Sequence, residues 1–147
     1  MEDSRNGFLI TTERSRMDIV AIHGFLTESY WARGIPLAVV EKSMQNSLCF
    51  GVFEGQSQVG FARVITDYAT FGYLGDVFIL QSHQGLGLGK WLLDCVMAHP
   101  GLQGLRRWNL ATHDAHNLYA RYGFSALAKA EYYMEINVPD PYPQDQG

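Results

Sequence analysis

The sequence predicts a mixed α/β domain: one central sheet, partly antiparallel and partly parallel, with helices on both faces. Three observations predict it. Two apolar runs flank a short loop, Glu54-Gly55-Gln56-Ser57, which is the mark of a hairpin. A Val/Phe/Ile-rich run at 74–80 leads through a glycine turn into an amphipathic helix over 87–98. A further strand follows, so the unit reads as a parallel, right-handed βαβ. Finally, the chain has 147 residues, 47% hydrophobic and 18% charged, enough to bury one proper core.

Taken in order, residues 8–12 read as the first strand. A helix over 16–26 places Ile19, Ile22, His23 and Leu26 on one face. Residues 28–35 form a loop rich in aromatic and polar groups. Pro36 suits the first position of a second helix over 36–46, with Leu37, Val40 and Met44 inward. Strands over 48–53 and 59–67 make the hairpin, and a turn at 68–72 delivers the strand at 74–80. In the helix after it, Leu88, Trp91, Leu92, Cys95 and Val96 form one apolar stripe, which His99-Pro100-Gly101 ends. A strand over 105–112 and a short helix over 114–122 come next, the helix closed by Gly123. The final strand spans 132–138, where Tyr132, Met134, Ile136 and Val138 share one face. A further short strand is expected near 124–127. The domain occupies 1–138, and the polar, proline-rich tail at 139–147 reads as disordered.

Several function classes are disfavoured. A net charge of −4 argues against nonspecific binding to nucleic acid. There is no long apolar span and no charged-then-apolar leader, so a cytoplasmic protein with no membrane partner is expected. His113 and His116 lack a third ligand nearby, and no metal is expected. Cys49 and Cys95 sit in apolar runs and read as core thiols rather than a bridge.

The chemistry concentrates at 84–89. Gly85, Gly87 and Gly89 strip side chains from the turn and bare backbone N–H groups at a helix N-terminus, where the dipole is positive. That geometry binds phosphate. The spacing fits neither a Rossmann fingerprint nor a Walker A loop, since Trp91 follows Gly89-Lys90 where a hydroxyl is needed. It does fit a loop of Gln or Arg, two residues, Gly, one residue, then Gly or Ala, as Gln84-Gly85-Leu86-Gly87-Leu88-Gly89. A second run, Ala115-His116-Asn117-Leu118-Tyr119-Ala120-Arg121-Tyr122-Gly123-Phe124, follows at a suitable distance. Together the two resemble the paired signatures of the GNAT N-acetyltransferase family, and the element order matches that family along nearly the whole chain.

The resemblance implies a mostly antiparallel sheet of six to seven strands, splayed at its centre and flanked by about four helices. It implies acetyl-CoA as co-substrate, with the diphosphate held by Gln84, Gly85, Leu86, Gly87, Leu88, Gly89 and Lys90. The backbone of Val77, Phe78 and Ile79 pairs with the pantetheine arm at the splay, and Asn117, or Asn109 from the strand end, is a candidate to face that arm. The reaction implied is direct transfer of an acetyl group to a primary amine of a small molecule in a ternary complex. Tyr119 is carried over as the acid that protonates the leaving thiolate. Related polyamine acetyltransferases carry a Glu-Asp pair where this chain has Gly75-Asp76. Asp76 is the first candidate base, directly or through water, or else a hydrogen-bonding residue that fixes the bulge. Asp67 and Glu28 are the other candidates. The acceptor side falls on Glu28, Tyr30 and Trp31, with Arg33 and residues 68–73 beside them. Two rival readings stay open: a non-catalytic acyl-CoA-binding domain, and transfer to a protein or peptide amine. Homodimers are common in the family, though no residue here requires one.

Overall fold

The structure, a computed structural model, describes residues 1–143. Six strands form one sheet whose spatial order is the chain order: β1 (Glu2–Arg5), β2 (Phe8–Thr11), β3 (Leu48–Glu54), β4 (Ser57–Thr66), β5 (Phe71–Ile79) and β6 (Arg107–Asn109). The first five are antiparallel neighbours, and β6 lies parallel to β5. The helices are α1 (Ile19–Leu26), α2 (Leu37–Gln45), α3 (Leu88–Ala98) and α4 (His116–Ala120).

Strand alternation divides the interior into two cores, one on each face of the sheet. Phe50, Val52, Ala62 and Val64 join Leu88, Trp91, Leu92 and Val96 of α3. Cys49, Phe61 and Phe78, offset by one residue, join Ile22, Leu26, Val40 and Met44 of α1 and α2. Helices therefore cover both faces, as the pattern predicts. Asp18 caps α1 by accepting from the Ala21 amide at 3.1 Å. Both cysteines are free and buried.

The differences from the sequence reading lie mostly at the two ends. β1 pairs with β2 through Asn6-Gly7, both with positive φ (50° and 85°). That two-residue turn suits the twist of a hairpin. The strand itself is polar, Glu2-Asp3-Ser4-Arg5, so apolar alternation does not reveal it. The expected first helix begins only at Ile19, after a 3-10 turn at Arg14–Arg16. Pro36 is the cap of α2 and not its first residue. The strand expected over 105–112 is ordered as β6 for only three residues, and the helix over 114–122 shortens to α4.

The strands expected at 132–138 and near 124–127 do not form. Residues 130–132 make a 3-10 turn (Ala130–Tyr132) and the rest is irregular. The pattern of alternation is present, but no neighbouring strand pairs with it, and a strand without a ladder has no backbone partners. Residues 139–143 are also irregular, and 144–147, the remainder of the expected tail, lie outside the described residues. Among the described residues no helix is long and apolar enough to cross a membrane.

Candidate active site

The site begins where β5 ends. A 3-10 turn (Gln81–His83) leads to Gly85 and Gly87, whose φ values of +84° and +79° require glycine. A Cβ added at either would meet nothing within 4 Å, so both line open space. Gly87 caps α3 without any side chain. The first amide of the helix to find an acceptor is that of Trp91, bonded to the Gly87 carbonyl at 3.1 Å. The amides of residues 85–90 donate to nothing among the described residues. Bare N–H groups, a positive helix end and the exposed Lys90 make an anion cradle. Gln84 braces it, its side-chain amide donating to the Ile79 carbonyl at 3.1 Å.

Beside the cradle the sheet opens. β5 and β6 pair at Phe71–Arg107, Gly72–Trp108 and Tyr73–Asn109, and no further. From Leu74 onward β5 keeps only its β4 neighbour. There the register runs from Arg63–Gly75 to Phe61–Phe78, three steps on β5 against two on β4. The extra residue is a bulge at Asp76, whose backbone is left-handed at φ +53°. A bulge bends its strand, and this one lies just past the last β5–β6 pair, Tyr73–Asn109. The edge of Val77, Phe78 and Ile79 that faces the opening is thereby left without a ladder.

Asp76 ties β5 to β4 and to the loop before α2. Its Oδ1 accepts from Trp31 Nε1 at 2.8 Å, and its Oδ2 pairs with Arg63 Nε at 2.8 Å. Both side chains of that ion pair are largely buried, at 12% and 17% exposure. Arg63 Nη1 also donates to Ser47 Oγ at 3.0 Å. Trp31 leads into an aromatic cluster. It lies edge-on to Tyr30 (5.1 Å between centroids) and tilts against Phe25, which stacks on Phe78 at 3.9 Å. Tyr30 in turn lies 5.4 Å from His113.

From the other side comes Tyr119 on α4, packed on the same core as Val77 and Ile79, with Phe124 edge-on at 6.0 Å. Its hydroxyl has no hydrogen-bond partner among the described residues. Burial pushes its pKa above the usual phenol value, and Tyr30 and Asp114 raise it further. Tyr122, one turn on, is a strut: its hydroxyl donates to Asp94 at 2.7 Å and fixes α4 to α3. Burial and that bond push Tyr122 up to about 12. Asn109 ends the paired part of β6, and its Oδ1 is buried with no partner. A buried acceptor without a donor is costly, and here it stands where the strands part.

Three further expected residues, Glu28, Asn117 and Asp67, make no side-chain bond to Asp76 or Tyr119 among the described residues. Glu28 is exposed and lines an apolar groove of about 430 Å³ between α1 and Leu80, with Phe25 and Ser29. Asn117 is exposed and makes no side-chain hydrogen bond among the described residues. Asp67 holds the β4–β5 turn, accepting from the Thr70, Ala69 and Phe71 amides and the Thr70 hydroxyl. Those bonds, Thr70's foremost, hold its carboxyl well below the usual range. Arg63 was not singled out by sequence, and His113 entered there only as half of an incomplete metal pair. The signal for Arg63 is an arginine sharing a strand face with Phe61, where a buried charge needs a partner.

Comparison with known proteins agrees with this geometry. The model of the acetyltransferase (GNAT) domain matches residues 45–126, from the end of α2 to just past α4. A crystal structure from Xanthomonas campestris pv. campestris, of a protein assigned to the GNAT family as an acetyltransferase, is 52% identical. It covers 96% of this chain and 100% of its own, with a TM-score of 0.93. A Gibberella zeae protein assigned as an acetyltransferase is 33% identical over 80% of this chain and 78% of its own. A Staphylococcus aureus protein shares the fold, with a TM-score of 0.71 over 89% of this chain and 99% of its own at 20% identity. The chain belongs to the GNAT family of acetyltransferases. It is thus an acyltransferase, of a family whose members take acetyl-CoA as co-substrate.

Proposed function

We propose that this chain transfers the acetyl group of acetyl-CoA to a primary amine of a small molecule, by direct attack in a ternary complex. The observation that carries the reading is a continuity: the strand whose free edge borders the gap leads, through one 3-10 turn, to the unpaired amides of residues 85–90. When bound, acetyl-CoA supplies a thioester, an acyl group already activated toward amines. The chain's own residues supply the rest. The cradle, with Lys90, neutralises a diphosphate. The open edge of Val77, Phe78 and Ile79 offers backbone partners to an amide-bearing arm, and Asn109 Oδ1 accepts one further N–H. A β5 amide polarises the acyl carbonyl.

Tyr119 keeps its proton on Oη at neutral pH and holds it for a leaving group. Asp76 serves as a positioning residue, because both its oxygens already carry donors. It fixes Trp31 over the opening and steadies the bulge, and the acceptor's proton leaves through water. Tyr30 and Trp31, exposed at 66% and 41%, offer ring faces that suit a cationic amine. Cys49 and Cys95 are buried with pKa values near 11, unsuited to a covalent acyl-enzyme.

The test is release of free thiol from acetyl-CoA across a panel of small amines and peptides, beside calorimetric binding of acetyl-CoA. Thiol release with small amines, and loss of acetyl-CoA binding in Gly87→Glu, are expected. Binding without release across the panel would leave a non-catalytic acyl-CoA binder, and release with peptides alone would move the acceptor to a protein amine.

A further inference from the structure

A relay of three side chains stands on the 3-10 turn that leads to the anion cradle. His83 Nε2 lies 3.1 Å from Glu54 Oε1, and His83 Nδ1 lies 2.7 Å from Ser82 Oγ. A carboxylate only accepts, so the ring carries a proton on Nε2 and donates it to Glu54. In the neutral ring Nδ1 is then an acceptor, and the Ser82 hydroxyl donates to it.

Three elements hold this arrangement. Glu54 ends β3, and Phe8 begins β2 directly opposite it in the register. Phe8 sets its ring edge-on to the imidazole, 6.2 Å between centroids. One cross-strand pair thus fixes the imidazole by a bond and by a ring. The His83 side chain is largely covered, at 20% exposure, whereas Ser82 is exposed.

A tether between the turn and β3 needs only the bond at Nε2. The bond at Nδ1 adds a hydroxyl whose proton has a base to go to, and a base whose tautomer an acid sets. Those are the nucleophile, base and orienting group of acyl transfer. The unpaired amides of residues 85–90 begin two residues beyond His83. Donors without acceptors suit an oxygen that turns negative during reaction.

We propose that Ser82, His83 and Glu54 hydrolyse short carboxylic esters, an activity separate from acetyl transfer to amines. Ser82 Oγ attacks the ester carbonyl, and its proton passes to His83 Nδ1. The bond from the acyl carbon to the alcohol oxygen breaks, and that oxygen leaves with the proton from Nδ1. Water then attacks the acyl-Ser82 and gives a proton to Nδ1. The Ser82 oxygen takes that proton back as the carboxylic acid departs. One ester and one water become one acid and one alcohol. Glu54 touches no reacting atom and is a positioning residue.

The test uses the full chain with 4-nitrophenyl acetate and no acetyl-CoA. Release of nitrophenol well beyond one equivalent per chain is expected. Ser82→Ala and His83→Gln should each lower kcat by about 100-fold. Glu54→Gln should lower kcat and leave KM within about twofold. A fluorophosphonate probe should mark Ser82 in the parent and lose that mark in His83→Gln chains that keep the parent's thermal melt. Thiol release from acetyl-CoA should be unchanged in Ser82→Ala. Absence of hydrolysis in the parent overturns the proposal, as does equal hydrolysis in Ser82→Ala or a probe found only on other residues. A fall in thiol release that matches the fall in hydrolysis would overturn the separation of the two activities.

Discussion

At the scale of single residues, Asp76 and Tyr119 carry the sharpest expectations. Asp76 sits in a left-handed conformation that asparagine tolerates better than alanine. Asp76→Asn retains an acceptor for Trp31 but strips Arg63 of its counter-charge in a largely buried place. A loss of about 1–3 kcal/mol in unfolding free energy is expected from denaturant titration. If Asp76 positions Trp31, the amine KM should rise more than kcat falls, and the pH profile should keep its acid limb. Loss of that limb together with a fall in kcat of about 100-fold or more would make Asp76 the base after all. Tyr119→Phe should lower kcat by about 10²-fold and leave acetyl-CoA affinity within about twofold. The acid form of Tyr119 is lost only as pH rises through a pKa above the ordinary phenol value of about 10. Its titration therefore takes no activity away between neutral pH and about pH 10, and equal turnover in the variant would remove it from the mechanism.

At the scale of elements, β1 shows how a polar strand is held at an edge. Asp3 Oδ2 accepts from Trp91 Nε1 at 2.8 Å, and Trp91 is only 4% exposed. Asp3→Ala leaves that indole N–H in the core without a partner, and a cost of about 1–2 kcal/mol is expected by chemical denaturation. An unchanged midpoint would mean that water replaces the carboxylate. The elements legible in the sequence were those whose burial writes a period: β3, β4, β5 and α3 all appear within a few residues of where apolar spacing puts them. β1 was hidden by its polarity, although Asn6-Gly7 announces a hairpin turn. Residues 132–138 misled in the opposite sense, since alternation records that a face wants covering and is silent on what covers it. In the site, the glycine turn and Tyr119 were legible because their motifs are contiguous. Arg63, Phe25 and His113 were not, because their roles arise only when β4, α1 and the loop before α4 meet. Asp76 was found by position, but its partners, 45 and 13 residues away in sequence, were invisible without the fold.

At the scale of the whole molecule, two cores clasp one sheet and each encloses a thiol. Desolvation pushes both Cys49 and Cys95 up to about 11. Neither should react with a thiol reagent at pH 8 in the native state, and labelling should proceed at the rate of global unfolding. Rapid labelling of one equivalent would show that one core opens independently of the other.

The agreement of chain order and sheet order has a kinetic consequence. β3, β4 and β5 join through short turns, so their pairing closes short loops, whereas β2 meets β3 only across α1 and α2. β6 too must await the docking of a helix, α3, before it can reach β5, because loop-closure entropy delays distant contacts. Pulse-labelling exchange during refolding should therefore protect amides of β3 and β4 before those of β6. The cleft would be born late, framed by central strands that have already condensed.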